Sequence, residues 1–481
     1  MNIGASWPNL DEAELRVREI QIKLHQWAVG DPHRRFDDLY NLVCDPAFLV
    51  MAWDRVRGNR GARSAGVDGV KPRSIVFGSE ELLSGLRDDL KARRFSPMPV
   101  RERMIPKPGT TKRRMLGIPT ARDRTVQATL KLVLEPILEA DFQPCSYGFR
   151  PRRRAQDAIA EIHHLTTRSY EWVLEGDIEA CFDQISHVAV IDRLRDRIGD
   201  RRILDLVKAF LKAGILSEDG VNRDTVTGTP QGGILSPLLA NLALSRLDDH
   251  FAELWESTGS TAYLRRRRRH GGLANYRLVR YADDFVVLVS GTQAHAAAAR
   301  EEVAAVLAPM GLRLSEAKTR VCHIDEGFDF LGSRIQRRTK RGTHKRVVYT
   351  YPSKKSLGTV IAKVRTLTMR SANPTLPVLL NRLNPVLRGW CNYFRHGVSS
   401  ATFGYLDAYT WRRVTRWIRL RHDGITWAVL RRRYLNGWRP VEDGVQLFDS
   451  RTVTVTRYRY RASNITSPWS STQLEKTPQP V

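Results

Sequence analysis

Two adjacent carboxylates, Asp283 and Asp284, interrupt an otherwise apolar run from Leu278 to Val289. A run rich in Val, Leu and Phe predicts β-structure, and Asp is a poor strand residue. Burying two such charges side by side is unfavourable unless a cation or hydrogen bonds offset them. Two interpretations follow: an ordinary turn, which is a common setting for an Asp-Asp pair, or a divalent-metal site at the tip of a hairpin. A third carboxylate close by would favour the metal site.

Asp177 is the candidate for that third carboxylate, because it falls where a short apolar strand in segment 171–183 is predicted to end. An acid at such a position is also a common helix cap. If this strand pairs with the predicted hairpin, Asp177, Asp283 and Asp284 converge on one spot.

Two cations are predicted on opposite arms of a second hairpin, which spans residues 100–119 and turns at 109–111. Its prolines suit an edge strand. Lys107 and Arg114 would either hold a triphosphate between them or be solvated surface charges.

A glycine turn at Gly232-Gly233 follows Gln231 and leads into an apolar helix that is predicted to run to about Leu247. Two adjacent glycines allow the backbone to approach a ligand closely, and they equally form a simple turn.

The elements that position these residues follow from the order of the hydrophobic patterns. Segment 123–141 and segment 294–310, which ends at Gly311, are predicted helices. The succession strand-helix-strand, hairpin, helix, strand predicts a split βαβ arrangement within an α+β fold. Residues 1–55 are predicted to be helical.

Charge indicates a polyanionic partner. Of the 481 residues, 42% are hydrophobic, as in ordinary folded proteins, but 78 Lys and Arg against 51 Asp and Glu leave a formal charge of +27. Nucleic acid is the first candidate partner and an anionic membrane surface the second. The sequence contains neither an apolar run of about 18 residues, which a membrane span requires, nor a signal-peptide core, so a cytoplasmic location is predicted.

The five cysteines are scattered without Cys-x-x-Cys spacing, so neither a disulfide framework nor a zinc ribbon is indicated. Metal chemistry in this chain would therefore depend on carboxylates.

Several basic segments are candidates for phosphate contact. A glycine-rich loop carries Arg60 and Arg63, and a basic aromatic segment carries Arg150. The five-arginine run 265–269 is interpreted either as a solvated loop or as a further phosphate contact.

A predicted helix near the C-terminal end has an apolar face and a basic face. The apolar face holds Phe403, Leu406, Val414 and Trp417, and the opposite face holds Arg412, Arg416 and Arg419. Region 427–469 continues to interleave Trp and Tyr with Arg, which suits nucleic acid and equally suits the rim of a small domain.

Six blocks in order resemble the group II intron-encoded reverse transcriptase and maturase family, over most of the chain from about Asn59 to Trp469. The blocks are Ile105-Pro106-Lys107-Pro108 with Leu116-Gly117-Ile118-Pro119, Tyr147-Gly148-Phe149-Arg150, the Asp177 segment, Pro230-Gln231-Gly232-Gly233, Tyr281-Ala282-Asp283-Asp284, and Phe330-Leu331-Gly332. Segment 384–394 is similar to the thumb of that family, also called domain X.

The resemblance implies a right-hand polymerase with fingers and a ferredoxin-like palm, followed by an α-helical thumb and a small basic C-terminal region. The implied boundaries are an N-terminal helical extension at 1–55, fingers and palm at 56–345, thumb at 346–425, a DNA-binding-like region at 426–470 and a disordered tail at 471–481.

Such an enzyme extends a DNA primer on an RNA template with two Mg²⁺ ions, which stabilise the attacking and leaving oxygens. The implied metal ligands are Asp177, Asp283, Asp284 and the carbonyl of Ile178. The resemblance also implies that Lys318 protonates the leaving pyrophosphate, although a surface lysine in a turn is an equal alternative.

Nucleotide-binding roles carry over in the same way. Lys107 and Arg114 match cations that hold the triphosphate, Phe182 matches the aromatic that excludes a ribose 2′-OH, and Gln231 matches a residue beside the incoming nucleotide. The implied partners are group II intron RNA, a DNA target and primer, and deoxynucleoside triphosphates, with no membrane and with association to the nucleoid through nucleic acid.

One feature departs from many members of the family, which end in an HNH endonuclease with paired zinc cysteines. This chain has neither those cysteines nor the length after Trp469. Priming from a pre-existing DNA end is therefore expected.

Three hypotheses remain open from the sequence. The first is a reverse transcriptase that is also a maturase and promotes splicing and intron mobility by target-primed reverse transcription. The second is a splicing-only RNA-binding maturase, and the intact Asp177, Asp283 and Asp284 argue against it. The third is a domesticated reverse transcriptase in phage defence or DNA repair.

Overall fold

The structure, a computed structural model, describes residues 7–75, 78–106, 113–218, 220–223, 225, 227–369, 371–461 and 464–470. The predicted turn at 109–111, Lys107 and the predicted disordered tail at 471–481 lie outside these residues. Among the described residues, no helix is both long and apolar enough to cross a bilayer.

Helices and strands are mixed along the chain. The helices are α1 (Leu10–Gly30), α2 (Tyr40–Val43), α3 (Pro46–Gly58), α4 (Ser79–Lys91), α5 (Ala121–Glu139), α6 (Ala155–Thr166), α7 (Cys181–Gln184), α8 (His187–Arg195), α9 (Arg201–Leu211), α10 (Ser236–Thr258), α11 (Ala262–His270), α12 (Gln293–Leu307), α13 (Lys354–Leu367), α14 (Leu376–Phe394), α15 (Ser400–Arg421) and α16 (Trp427–Tyr434). The strands are β1 (Val100–Pro106), β2 (Arg113–Ile118), β3 (Trp172–Asp177), β4 (Ile215–Leu216), β5 (Asn222–Arg223), β6 (Asn275–Tyr281), β7 (Asp284–Ser290), β8 (Arg320–His323), β9 (Phe328–Phe330), β10 (Ser333–Thr339), β11 (Arg346–Pro352), β12 (Leu435–Asn436), β13 (Arg439–Glu442) and β14 (Val445–Gln446).

The chain divides into two compact units. The first comprises Met1–Arg154, Leu174–Val321 and Ala462–Val481, and the second comprises Ala155–Val173 and Cys322–Arg461. The boundaries of these two units do not coincide with the predicted domain boundaries at 56, 346 and 426.

In the first unit, the N-terminal helices are part of the core and not an appended extension. Helices α1 and α3 pack against each other and against α5. Helix α1 begins at a capping box in which Asn9 and Glu12 exchange hydrogen bonds. Helix α5 is nearly all buried and begins at Thr120, whose hydroxyl accepts from the Asp123 amide at 3.1 Å.

The predicted hairpin at 100–119 is present as the antiparallel pair β1–β2, with Ile105 opposite Arg114. Residues Val100 and Arg101 also pair in parallel with β4, so only the far end of β1 is an edge. Pro106 lies at that end, which is the position that a missing N–H tolerates.

The sheet that carries the carboxylates has the order β6-β7-β3-β8. Strands β3 and β6 are connected through helix α10, and β7 lies between them. This is the split βαβ order that the sequence predicts. Helices α10 and α12 pack on β6 and β7, and Gly311, with φ 74°, ends the turn after α12.

In the second unit, helices α13 to α16 share one apolar core with the short sheet β12-β13-β14. The core includes Leu383 and Leu387 of α14 and Leu430 and Tyr434 of α16. The region expected to be separate from residue 426 is therefore continuous with the helical region. The sheet β11-β10-β9 and helix α6 belong to the same unit, since α6 packs on β11.

Candidate active site

Asp283 lies in the two-residue turn between β6 and β7, and Asp284 is the first residue of β7, paired with Tyr281. Ala282, which precedes Asp283 in this turn, has φ +58°, a left-handed conformation that is unfavourable for a residue other than glycine. Asp283 is half-buried and Asp284 is exposed. The tip of the hairpin thus presents its carboxylates at the surface while β7 behind it is buried.

Arg280 is the residue that fixes this turn from below. Its side chain is fully buried, with Nε 2.7 Å from Asp248 and Nη1 3.0 Å from Asn241, both on α10. Nη1 also donates to the carbonyl of Ala282 at 2.9 Å. A buried ion pair of this kind costs several kcal/mol when one partner is removed. No role is predicted for Arg280 from the sequence, although a cation inside an apolar strand is a signal for one.

Strand β3 ends at Asp177 next to the start of β7. Gly176 packs directly on the Phe285 ring: a Cβ at position 176 would lie 2.0 Å from Phe285 Cζ. Phe285 is 1% exposed, so its ring is packed against other protein atoms and not against solvent. The close approach of these two strands brings the Asp177 end of β3 beside the Asp284 end of β7.

The thiol of Cys181 responds to the carboxylates of both strands. Its pKa is raised to about 12, first by burial and next by the negative charge of Asp283, with a smaller contribution from Asp177. Both carboxylates therefore act on the same buried atom. The convergence of Asp177 with Asp283 stays a prediction, and their shared influence on this thiol is consistent with it.

Lys318 lies on the Asp177 carboxylate, with Nζ 2.6 Å from Oδ2. The segment that carries it is docked by a backbone bond from the Ser315 amide to the Asp177 carbonyl at 2.8 Å. An isolated bridge pairs Ile178 with Leu314 in the same segment. In this pairing the Asp177 carbonyl accepts a hydrogen bond, whereas the Ile178 carbonyl takes no part.

The proposed nucleotide side of the site is formed by α7 and the loop before α10. Phe182 is half-buried, and its carbonyl accepts from the Thr229 amide at 2.6 Å. Asp183 follows it, and burial raises the pKa of its carboxyl while the charge of Arg114 lowers it by a smaller amount. Arg114 of β2 therefore lies close enough to α7 to interact with the carboxylate of Asp183.

Gln231 is attached to the same ribbon as Arg114. Its carbonyl accepts from the Gly117 amide of β2 at 2.8 Å. Gly232 has φ +120°, and a Cβ there would lie 2.6 Å from the Gly117 carbonyl oxygen. The glycine is thus required both by its conformation and by the close approach of the two backbones.

The arginines predicted to contact nucleic acid fall into two groups. Arg60 and Arg63 flank a short 3-10 turn and are exposed. On α15 of the second unit, Arg412, Arg416 and Arg419 are exposed.

Helix α15 has the amphipathic character that the sequence predicts. Its buried residues include Phe403, Leu406, Val414 and Trp417, which are at most 3% exposed.

Arg150 differs from the expectation. It is 6% exposed, pairs with Glu139 at 2.8 Å, and donates to the carbonyls of Gln143, Ser146 and Phe142. Its guanidinium is engaged in holding the segment after α5, so it has no part in phosphate contact in this arrangement. A single sequence does not distinguish a buried, paired arginine from an exposed one.

Asp177, Asp283 and Asp284 are not gathered as a metal-binding cluster. In the described ranges, no group of three or more His, Cys, Asp or Glu side chains is arranged so that it could hold a metal ion. Mg²⁺ is usually held by one or two carboxylates together with water and substrate phosphates. A half-exposed set of carboxylate oxygens at two strand ends suits this requirement of Mg²⁺ better than it suits the requirements of zinc or calcium.

Two family models match the chain. The model described as reverse transcriptase (RNA-dependent DNA polymerase) matches residues 105–335. The model described as group II intron, maturase-specific domain matches residues 357–435.

Among curated proteins, Protein YkfC of Escherichia coli is 37% identical over 375 residues, which is 73% of this chain and 97% of YkfC. The group II intron-encoded protein LtrA of Lactococcus lactis is 32% identical over 65% of this chain and 58% of LtrA. An uncharacterized 91 kDa protein in the cob intron of Schizosaccharomyces pombe is 30% identical over 60% of this chain and 40% of that protein. The chain thus spans less than two thirds of LtrA and of the yeast protein.

Proposed function

Since the chain belongs to the family of group II intron reverse transcriptases and maturases, we propose that it is an RNA-directed DNA polymerase that also binds its intron RNA and promotes splicing. The observation that carries the polymerase proposal is the meeting of two strand ends: β3 ending at Asp177, and the β6–β7 turn holding Asp283.

Within this proposal, Asp177 and Asp283 would hold Mg²⁺, with Asp284 and the carbonyl of Ile178 as further ligands. Two bound Mg²⁺ ions stabilise the attacking 3′ oxygen and the leaving phosphate oxygen of an in-line displacement. Arg280 keeps the Asp283 turn in place through its bond to the Ala282 carbonyl.

Lys318 has two tasks in sequence. While its Nζ is 2.6 Å from Asp177 it neutralises that carboxylate, which lowers the repulsion among the acids. When substrate phosphate arrives, the same ammonium would donate a proton to the leaving pyrophosphate.

The ribbon β1–β2 and helix α7 would bind the incoming nucleotide. Lys107 and Arg114 hold its triphosphate, Gln231 packs beside it, and the Phe182 ring excludes a ribose 2′-OH. The support is the attachment of the Gln231 loop to β2 at Gly117 and the position of Phe182 five residues after the end of β3.

We assign the fingers and palm to the first unit and the thumb, or domain X, to helices α13 to α15 of the second. The exposed arginines of α15 would contact the primer-template duplex or intron RNA. Intron mobility by target-primed reverse transcription is the wider role that we propose.

The test is primer extension by the purified full chain on an RNA template with a DNA primer, with and without Mg²⁺. Asp283→Asn should abolish extension, because a charged metal ligand becomes neutral, while RNA binding stays close to wild type. Glu316→Gln, which removes an exposed carboxylate two residues from Lys318, should keep most of the activity. Robust extension by Asp283→Asn would exclude the assignment.

A further inference from the structure

A cavity of about 340 Å³ is formed wholly by residues of the second unit. Its walls come from α6, from β10 and β11, from the end of α14 with the turn that follows, and from segment 457–460, which has no regular secondary structure. The volume is in the range of sites that bind small molecules. Neither the carboxylates of the candidate active site nor the residues around them line it.

The lining is cationic and contains no Asp or Glu among the described residues. Arg457 and Arg459 are exposed at the cavity, and neither forms an ion pair or a side-chain hydrogen bond within the part of the chain that the structure describes. Three imidazoles also line it, those of His163, His164 and His396. Such a surface favours an anionic ligand at the two arginines.

Burial lowers the pKa of His163, and the charge of Arg457 lowers it further, although the bond to the Val348 carbonyl opposes both. His163 is therefore harder to protonate than a free imidazole, and its flat ring forms part of the wall.

The remaining walls are aromatic. The rings of His164 and Tyr460 are stacked, with centroids 4.2 Å apart and an interplanar angle of 20°. The ring of Tyr458 meets His396 edge to face at 4.9 Å. Rings in these orientations bind planar aromatic ligands by stacking, without strong preference among bases.

The wall formed by residues 457–460 is held at both ends. On one side, the Thr456 amide donates to the Arg395 carbonyl at 3.0 Å. On the other side, Arg461 donates to both oxygens of the buried Asp157 at 2.8 and 2.6 Å, and the Tyr458 hydroxyl donates to the same carboxylate at 3.0 Å. A wall that is already ordered costs little entropy when a ligand binds.

Gln156 adds a polar group that can select among ligands. Its amide nitrogen donates to the Tyr393 carbonyl at 3.2 Å, and its amide oxygen has no hydrogen-bond donor among the described residues. An acceptor at that position suits an exocyclic amine or a ribose hydroxyl.

We propose that this cavity binds one nucleotide, with its base against the aromatic wall of His164, Tyr458 and Tyr460 and its phosphate at Arg457 and Arg459. The nucleotide is either an unpaired residue of a bound RNA strand or a free mononucleotide, because both present the same base and phosphate. The strand-bound case rests on the proposed RNA binding, whereas neither case depends on polymerisation.

The experiment uses the full chain and two probes. A short single-stranded RNA that contains 4-thiouridine is photocrosslinked and the crosslinked peptides are mapped, and binding of AMP is measured by calorimetry. For a strand-bound nucleotide, crosslinks should map to the peptide with residues 457–460, and Tyr460→Leu should lower their yield about tenfold, since a base loses its stacking partner. For a free nucleotide, AMP should bind wild type and lose at least about tenfold in affinity in Tyr460→Leu.

Two further variants complete the test. Trp27→Leu removes an exposed ring from α1 of the first unit and should leave both signals unchanged. The double variant Arg457→Gln/Arg459→Gln changes only exposed side chains, so it should fold even if Tyr460→Leu does not, and it should weaken whichever probe binds. If neither probe distinguishes the two cavity variants from wild type, the proposal is wrong. Loss of extension in Asp283→Asn tests the polymerase separately.

Discussion

Phe182 is the residue at which the proposed sugar selection can be separated from the chemistry. It is half-buried on α7, and its backbone is fixed by the Thr229 amide, so truncating the ring need not move Asp177. We expect Phe182→Ala to raise the efficiency with ribonucleotides relative to deoxynucleotides about tenfold or more, because the clash with the 2′-OH is removed. The ratio of kcat/KM for the two nucleotide types measures the effect.

Phe182→Tyr is the matched control, because it keeps the ring and should keep the discrimination. Sugar discrimination that is unchanged in Phe182→Ala would remove Phe182 from this role, whatever the total activity.

Gly176 tests whether the close approach of β3 and β7 sets the site. In Gly176→Ala, the new methyl group would overlap the ring of Phe285, which is enclosed on all sides. Such overpacking costs about 1–3 kcal/mol, and we expect a lower free energy of unfolding in urea together with a large loss of primer extension, since Asp177 shifts with its strand.

Rescue distinguishes a local clash from a general defect. Phe285→Leu removes the distal ring atoms that the methyl group would meet, so the double variant should be more active than Gly176→Ala alone. If the effects of the two substitutions on activity simply add, the contact between position 176 and Phe285 is not the cause of the loss.

At the scale of single residues, the sequence indicates which residue types belong to the candidate site more readily than it indicates which side chains they contact. Asp177, Asp283 and Lys318 stand at segment ends where polar residues interrupt apolar runs, and such positions are visible in a pattern. The burial of Arg150 and Arg280 depends on acids 11 and 32 residues earlier in the chain, Glu139 and Asp248. A pairing over such a separation leaves no helical or strand periodicity to detect.

At the scale of elements, the period of the hydrophobic pattern was sufficient to predict a helix or strand wherever that element buries one clear face. It predicted the hairpins β1–β2 and β6–β7, the helix that ends at Gly311, and the amphipathic α15. It was insufficient for residues 265–269, expected as a loop, which form the last turns of α11. Five consecutive arginines carry no apolar period, but the Thr261 hydroxyl caps the helix at its start.

The two compact units divide the chain at positions other than the predicted domain boundaries at 346 and 426, which stay predictions. Among the described residues, strands β9 to β11 form a sheet of their own, and helix α6, which is distant in sequence, packs on β11.

One charged network in the second unit gives a prediction about pH. Asp325 accepts from Arg337 Nε at 2.7 Å and pairs with Arg346, and these cations lower the pKa of its carboxyl from about 3.8 to about 2. Because its pKa is lowered, the Asp325 carboxylate stabilises the folded state at any pH above its ordinary pKa. This contribution is lost as the pH falls towards about 2. Asp325→Asn should therefore lower the free energy of unfolding at neutral pH by about 1 kcal/mol, after allowance for solvent.

Urea unfolding at neutral and acid pH measures this difference. The gap between wild type and Asp325→Asn should close as the pH approaches the lowered pKa. Asp443→Asn, in an exposed turn between β13 and β14, should have little effect at either pH. A constant gap across that range would mean that Asp325 contributes through packing and not through its charge.

For the molecule as a whole, the formal charge of +27 has a physical consequence that does not depend on any single contact. Neutralising RNA phosphates releases counterions, so affinity should fall steeply as salt rises, with a slope of about 0.7 per phosphate contact on a single strand. Exposed arginines such as those of α15 can make these contacts without losing a protein partner, unlike Arg150, which is already paired with Glu139.

The triple variant Arg412→Gln/Arg416→Gln/Arg419→Gln should therefore reduce the salt slope of RNA binding by about two, since each arginine removes one phosphate contact. The measurement is fluorescence anisotropy of a labelled RNA over a range of salt concentrations. The matched control removes three exposed cations from the N-terminal helical region, in Arg18→Gln/Lys23→Gln/Arg35→Gln. If net charge alone drives binding, both variants lower the slope equally; if α15 is a binding face, only the first does. A slope near zero for wild type would contradict the assignment of the cationic surface to RNA phosphates.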